Sequence, residues 1–257
     1  MTHRIQAACS TNIGKVRRKN EDNLFFADKI LEQEHKNLHE AYNAELSTEN
    51  MSAFAVFDGM GGEAHGEIAS YVSADSFVGF KDEKKKFILS VKNFLCDYIS
   101  TANRRVFEKS IELGNCYMGS TVAMLVFFKN MVYVCNLGDS KAFRMRNKSF
   151  MQISVDHTDE AFMKANNIVN RKPRLTQHLG INPTEITVEP YIAKGTIYAG
   201  DRYLICSDGL TDMLSNAEIT GVLIEYRDVE ACVNELINRA VAKGGRDNIT
   251  VIVLDIS

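Results

Sequence analysis

The stretch from residue 120 to 154 constrains the fold most. Four short β-type runs, "STVAMLVFF", "MVYVCNLGD", "KAFRMR" and "SFMQIS", follow one another, broken only by "KN", "GDS" and "RNKS". Breaks this short hold a tight turn but no crossover helix, so they predict a meander of antiparallel strands. Upstream, β-type runs at 4–9, "NLFFAD" and "MSAFAVFD" precede two helical patterns at about 64–79 and 83–113. In the second, Phe87, Ile88, Val91, Phe94, Leu95, Tyr98, Ile99, Ala102 and Val106 recur as one apolar stripe, which predicts packing against a sheet. Residues 32–50 are polar and predict an excursion between strands. Downstream, 157–183 reads as irregular with some helix. "EITVEPYIA" and "DRYLICSD" read as strands, 215–225 and 228–243 as helices, and "NITVIVLDI" as a last strand. Strands grouped with strands, and helices with helices, predict an α+β fold with antiparallel sheet, helices outside and two packed sheets.

A chain of 257 residues with 45% hydrophobic content predicts one domain with a sizeable core. The formal net charge of -3 argues against nucleic-acid and membrane partners. "KDEKKK" at 81–86 reads as a solvated helix start. The six cysteines are scattered and form no C-x-x-C pair, so they predict buried, reduced thiols, not a disulfide frame or zinc site. The N-terminal residues lack the apolar core of a signal peptide, and no apolar stretch approaches membrane-spanning length. The expected compartment is the cytoplasm, and the expected state a monomer.

Several strands end or begin on an acidic residue. "FAVF" ends at Asp58, "VYVCNLG" at Asp139 and "YLICS" at Asp208. Asp247 precedes "NITVIVL", and Glu21 and Asp22 precede "NLFF". One such aspartate is ordinary turn or capping chemistry. Five predict convergence on one rim of the sheets. Carboxylates that close need cations, and an all-oxygen set selects Mg²⁺ or Mn²⁺. Two such ions about 3.5–4 Å apart activate water for in-line attack on phosphorus.

The glycines of "DGMGG" let backbone approach such a centre, and Gly59 could lend its carbonyl oxygen. The stretch lacks the lysine of a phosphate-cradling loop, which argues against nucleotide binding. Arg17, five residues before Asp22, is a candidate phosphate clamp because a guanidinium can grip two phosphate oxygens.

The ordered set "GKVRRKNED", "VFDGMGG", "GSTVAML", "NLGDSKAF", "LICSDGLTDML" and "GGRDNITVIVL" resembles the bacterial branch of the type 2C, metal-dependent Ser/Thr protein phosphatases. The likeness runs from about residue 14 to 255. It implies a four-layer α-β-β-α sandwich with the metal centre at one end. It also implies hydrolysis of phosphoserine and phosphothreonine by a water held between two Mn²⁺ or Mg²⁺ ions, with no phosphoenzyme. Through it, Asp58 corresponds to the bridging carboxylate and Gly59 to a carbonyl ligand, while Asp208 and Asp247 complete one ion. Asp22, with Glu21 behind it through water, serves the other ion, and Arg17 binds phosphate. Bacterial relatives often hold a third ion, matching Asp139 with Asp208. Thr121 and Asn248 fit either supporting roles behind the ligands or purely structural ones. Ser140 and Ser207 read as turn residues.

The sequence also departs from the family pattern. Met60 stands where animal members carry a histidine proposed as general acid, as in many bacterial members, and methionine has no proton to give. His157 reads as structural and His65 as a surface helix residue. The family's flap over the site corresponds to about 157–183 and is short here. Its basic stretch, with Arg171, Lys172 and Arg174, is equally an exposed loop or a phosphoprotein contact. The implied partners are phosphoproteins and an opposing Ser/Thr kinase. A catalytically weak regulatory module should have lost aspartates, and Asp22, Asp58, Asp208 and Asp247 are all present. A nuclease would want a basic surface. A phosphatase of anti-sigma-factor antagonists shares the chemistry and stays open.

Overall fold

The computed structural model describes residues 2–61, 65–84 and 90–257. From the N-terminus, β1 (Arg4–Asn12), β2 (Asp22–Phe26), β3 (Lys29–Ile30), β4 (Tyr42–Ser47) and β5 (Ser52–Met60) lead into α1 (Gly66–Lys84) and α2 (Val91–Glu112). The meander follows as β6 (Gly119–Ser120), β7 (Val122–Phe128), β8 (Met131–Leu137), β9 (Lys141–Arg146) and β10 (Ser149–Gln152). Then come α3 (Glu160–Ala165), β11 (Tyr191–Thr196), β12 (Arg202–Cys206), α4 (Asp208–Thr211), α5 (Asn216–Glu225), α6 (Val229–Ala242) and β13 (Ile249–Ile256).

Two sheets form, in strand order β10-β9-β12-β13-β1-β4 and β11-β8-β7-β5-β2-β3, with β6 added to the end of β5. The pairings are antiparallel. Burial divides into three layers. Between the sheets lie Ile5, Leu24, Phe54, Val56, Leu125, Phe127, Ile205, Ile252 and Leu254. The opposite faces of the same strands pack on helices. Ala55, Phe57 and Met124 meet Phe77, Leu95 and Tyr98 of α1 and α2. Val251 and Val253 meet Val222, Val233 and Leu236 of α5 and α6. This is the expected α-β-β-α sandwich. It also explains why β5, β7 and β13 are apolar at nearly every position: both faces of each strand are covered.

Antiparallel pairing collects the acidic strand ends. Asp22 at the start of β2 stands opposite Asp58 near the end of β5. Cys206, ending β12, pairs with Val251 near the start of β13, which brings Asp208 beside Asp247. Leu137, ending β8, pairs with Val122 at the start of β7 and sets Asp139 at the same end.

Several expected boundaries change. Residues 32–50 contain a strand, β4, which pairs with β1 at the sheet edge. Its Tyr42, Ala44 and Leu46 lean on the inter-sheet core while Asn43, Glu45 and Ser47 are exposed, so its polarity reflects an edge position. The first strand runs on to Asn12, and the first helix to Lys84. α2 opens at Val91, with the Ser90 hydroxyl accepting from the Asn93 N–H. Phe87 and Ile88 lie outside the described residues. The expected strand at 185–193 starts only at Tyr191, after Pro190, which lacks an N–H to pair. Lys81 is not solvated: it ends up buried against the Phe25 ring and paired with Asp28. His65 precedes α1 instead of lying in it. Cys9, Cys135, Cys206 and Cys232 are buried, all six thiols are free, and burial pushes those of Cys206 and Cys232 up to about 12.

Arg202 links the helix layer to its sheet. Its guanidinium forks onto Asp255 at 2.6 and 2.5 Å and donates to the carbonyls of Leu223, Tyr226 and Arg227 at 2.7, 2.6 and 2.5 Å. These carbonyls lie in and just beyond the last turn of α5, where intrahelical donors run out. Arg202→Met should leave them and Asp255 without their buried partner. The expected loss is about 3 kcal/mol of unfolding free energy, read from urea titration. An unchanged midpoint would show that the network is energetically idle.

Candidate metal centre

Arg17, Glu21, Asp58, Gly59, Asp139, Asp208 and Asp247 line one cleft of about 270 Å³, together with Met60, Gly61, Thr121, Lys172 and Leu175. Seven of the eight site residues singled out from the sequence therefore meet there. Asp22 lies behind the wall: it is buried, and its Oδ2 accepts from the Ser207 and Thr250 hydroxyls at 2.8 and 2.6 Å. The resemblance set Asp22 on an ion with Glu21 behind it; in the structure Glu21 faces the cleft and Asp22 sits deeper.

The approach of backbone at Gly59 is close. A Cβ there would fall 2.1 Å from the Gly66 carbonyl oxygen and 2.5 Å from that of Glu21. Gly209 is equally confined, 2.0 Å from the Asn248 oxygen. Asn248 fastens the opening loop to the start of β13. It donates to the Ile13 and Lys19 carbonyls at 3.0 Å each and accepts from the Glu21 N–H at 2.8 Å. Thr121 accepts the Asp58 N–H at 3.1 Å and meets the Ser140 hydroxyl at 2.7 Å. Thr121 and Asn248 thus position Asp58 and Glu21 through the backbone. His157 brackets Gly138, its N–H donating to the Gly138 carbonyl at 2.9 Å and its Nδ1 accepting from the Gly138 N–H at 3.3 Å. That is a structural role.

The carboxylates crowd one another. Burial and then the neighbouring Asp22, Asp208, Asp139 and Asp247 hold the Asp58 carboxyl well above its usual range. Burial pushes Asp22 up to about 7, against the pull of the Thr250 and Ser207 hydroxyls. Burial and then Asp208 push Asp139 up to about 6. Burial also raises Glu21, opposed by Arg17. Among the described residues, two cations pair directly with these carboxylates and offset part of the charge. Arg17 donates to Asp247 Oδ2 at 2.6 Å, and Lys172 pairs with both Asp208 and Asp212. Among the described residues, no three His, Cys, Asp or Glu side chains close tightly around one point. Asp208 Oδ1 is nevertheless buried without a hydrogen-bond partner. An orphaned buried carboxylate oxygen, an all-oxygen donor set and a backbone carbonyl at a glycine fit a hard divalent cation.

Lys172, Ser207 and Thr250 were not singled out as site residues from the sequence. For Lys172 the only signal was a basic loop. Ser207 sits between a strand and its aspartate, where a hydroxyl reads as turn chemistry. Thr250 sits inside an apolar strand with no distinguishing pattern.

Residues 39–250 match the family described as Protein phosphatase 2C, and the chain belongs to that family. The matched range omits Arg17, Glu21 and Asp22, which the longer pairwise likenesses include. The chain is 28% identical to the serine/threonine protein phosphatase PstP of Mycobacterium tuberculosis over 260 residues, covering 98% of this chain and 45% of that protein. It therefore spans about half the length of that relative. It is 25% identical to the serine/threonine phosphatase Stp of Listeria welshimeri, covering 98% of this chain and 96% of that one. The solved catalytic domain of PstP, in complex with two manganese ions, superposes with a TM-score of 0.79 at 25% identity, covering 100% of this chain and 99% of that one.

The raised carboxyls give a pH signature to the metal-free protein. Asp22 keeps its proton in the folded state from 3.8, its ordinary value, up to about 7. Over that window the folded state binds more protons than the unfolded, so the Asp22 contribution to stability is lost as pH rises through 7. His35, His157 and His178, lowered by burial, push the opposite way, so the test is a difference. In EDTA, Asp22→Asn should gain roughly 1–3 kcal/mol relative to wild type between pH 5 and 8 in urea unfolding. A difference that is flat or falls with pH contradicts the assignment.

Proposed function

We propose that this chain is a metal-dependent protein serine/threonine phosphatase that hydrolyses phosphoserine and phosphothreonine directly, without a phosphoenzyme. The observation that carries the reading is the crowded cleft of Asp58, Asp139, Asp208 and Asp247, in which one oxygen of Asp208 is buried and unpartnered. Asp58, the Gly59 carbonyl, Asp208 and Asp247 would hold the cations, Mn²⁺ or Mg²⁺, with Glu21 facing the same space. Asp22, tied to Ser207 and Thr250, would set the charge behind Asp58. Asp139 with Asp208 would provide for a third ion. Two cations so held would supply Lewis-acid charge and activate water for attack on phosphorus.

Arg17 lines the cleft, and its guanidinium would orient a phosphate monoester beside the carboxylates. Its present partner is Asp247, so phosphate and Asp247 would share it. Met60 also lines the cleft and cannot donate a proton, so the leaving serine or threonine oxygen takes its proton from water or another group at the wall. The relatives' names support phosphoprotein substrates. The reading extends to a monomeric cytoplasmic enzyme opposing a Ser/Thr kinase. Among the described residues no helix is long and apolar enough to cross a membrane.

The test is hydrolysis of an aryl phosphate and of a phosphothreonine peptide, with Mn²⁺ and with EDTA. Activity should require Mn²⁺ and fall by more than about 100-fold in Asp208→Ala. Arg17→Ala should raise KM for the peptide about tenfold, the loss of one charge-assisted contact. Full activity in EDTA, or in Asp208→Ala, would sink the reading.

A further inference from the structure

Segment 158–175 reaches the cleft through Lys172 and Leu175, and it has few attachments to the rest of the chain. Its base is closed on itself. Thr158 bridges Leu175, and Asp159 takes a fork from Arg171 at 3.2 and 2.6 Å. Asp159 Oδ1 also accepts the Arg174 N–H at 2.8 Å. Just outside, the Thr176 N–H donates to the His157 carbonyl at 2.8 Å. Phe162 and Val169 point away from any core, at 60% and 92% exposure. Among the described residues, the hydrogen bonds and ion pairs that leave 158–175 for the rest of the chain are those of Lys172, to Asp208 and Asp212.

Asp208 also has a buried, unpartnered oxygen, Oδ1, and lines the cleft with the other carboxylates proposed to hold cations. An ammonium and a divalent cation on one carboxylate repel each other strongly at a part-buried site. We infer that Lys172 and a divalent cation compete for Asp208, so that filling the centre releases segment 158–175 from the cleft. The inference rests on the metal-centre reading above. Lys172 is then a positioning residue: it ties the segment to Asp208 and lowers the affinity of the centre for metal. Release also frees Asp212, which adds negative charge beside the incoming ion.

The experiment measures Mn²⁺ binding by calorimetry and tryptic cleavage within 158–175 by mass spectrometry, on the full chain, with circular dichroism confirming the fold. Pro173 already blocks trypsin at Lys172, so Lys172→Met removes no cleavage site. Arg174→Met is the control. It removes one positive charge from the same segment, and its side chain forms none of the ion pairs found among the described residues. Lys172→Met should bind Mn²⁺ about five- to tenfold more tightly than wild type, while Arg174→Met stays within about twofold. Mn²⁺ should speed cleavage at Lys164 and Arg171 in wild type about fivefold, through a larger open population. Lys172→Met should be cleaved fast with or without Mn²⁺. Equal affinity in wild type and Lys172→Met overturns the competition alone, leaving the metal centre standing. An equal gain in Arg174→Met also overturns it, by reducing the effect to overall charge. No Mn²⁺ binding by any of the three proteins overturns the competition and the metal-centre reading together.

Discussion

Mutual repulsion among carboxylates at one end of the sandwich is the constraint on which the rest depends. Asp58 is raised by burial and by four neighbouring aspartates, and Asp22 and Asp139 are pushed up with it. An arrangement of this kind is unfavourable unless positive charge enters it. Among the described residues, Arg17 on Asp247 and Lys172 on Asp208 pair directly with these carboxylates. Both come from segments outside the sheets, so both can be exchanged for a ligand without disturbing the core. The strain sits where it can be relieved from outside.

What allows the crowding is the stiffness beneath it. β5 and β13 are covered on both faces, by the opposite sheet and by helices. Their ends therefore deliver Asp58 and Asp247 in fixed directions. Loop attachments are just as specific. Asn248 spends its amide on two carbonyls of the opening loop and its oxygen on the Glu21 N–H, which fixes Arg17 and Glu21 against β13. Gly59 and Gly209 lack the Cβ atoms that would keep these backbones apart. Residues that touch no phosphate would thus decide where those that do are held.

The layered fold was legible in the sequence because its signals are local. Short breaks between apolar runs dictate antiparallel pairing, and the stripe through Phe94, Tyr98 and Ala102 marks a helix laid on a sheet. β4 was missed because an edge strand shows only half of the burial pattern, with Asn43, Glu45 and Ser47 in water. The cleft residues were legible because aspartates at strand ends are a positional signal that antiparallel topology turns into proximity. Depth was not. Asp22 and Glu21 are adjacent in sequence, and only the packing of Ser207 and Thr250 against Asp22 decides which one is buried. Lys172 was hidden for a related reason: a lysine among basic neighbours reads as solvated until its partners, 36 and 40 residues away, are placed.

The same contrast bears on how such a site divides labour. The carboxylates sit on strands or within two residues of a strand end, and displacing those strands would open a core. The cations Arg17 and Lys172 lie off the strands, one on a loop and one on a segment closed at its own base. Charge compensation that can leave would let a rigid acidic end accept different positive partners in turn, first a side chain, then a metal ion. If every compensating charge sat on a strand as Arg202 does, locked between Asp255 and three carbonyls, the end would be neutral, stable and closed to any ligand. The protein uses both arrangements. It locks the pair on the helix side of its sheet, and carries the pairs at the cleft on segments outside the sheets, where a ligand could replace them.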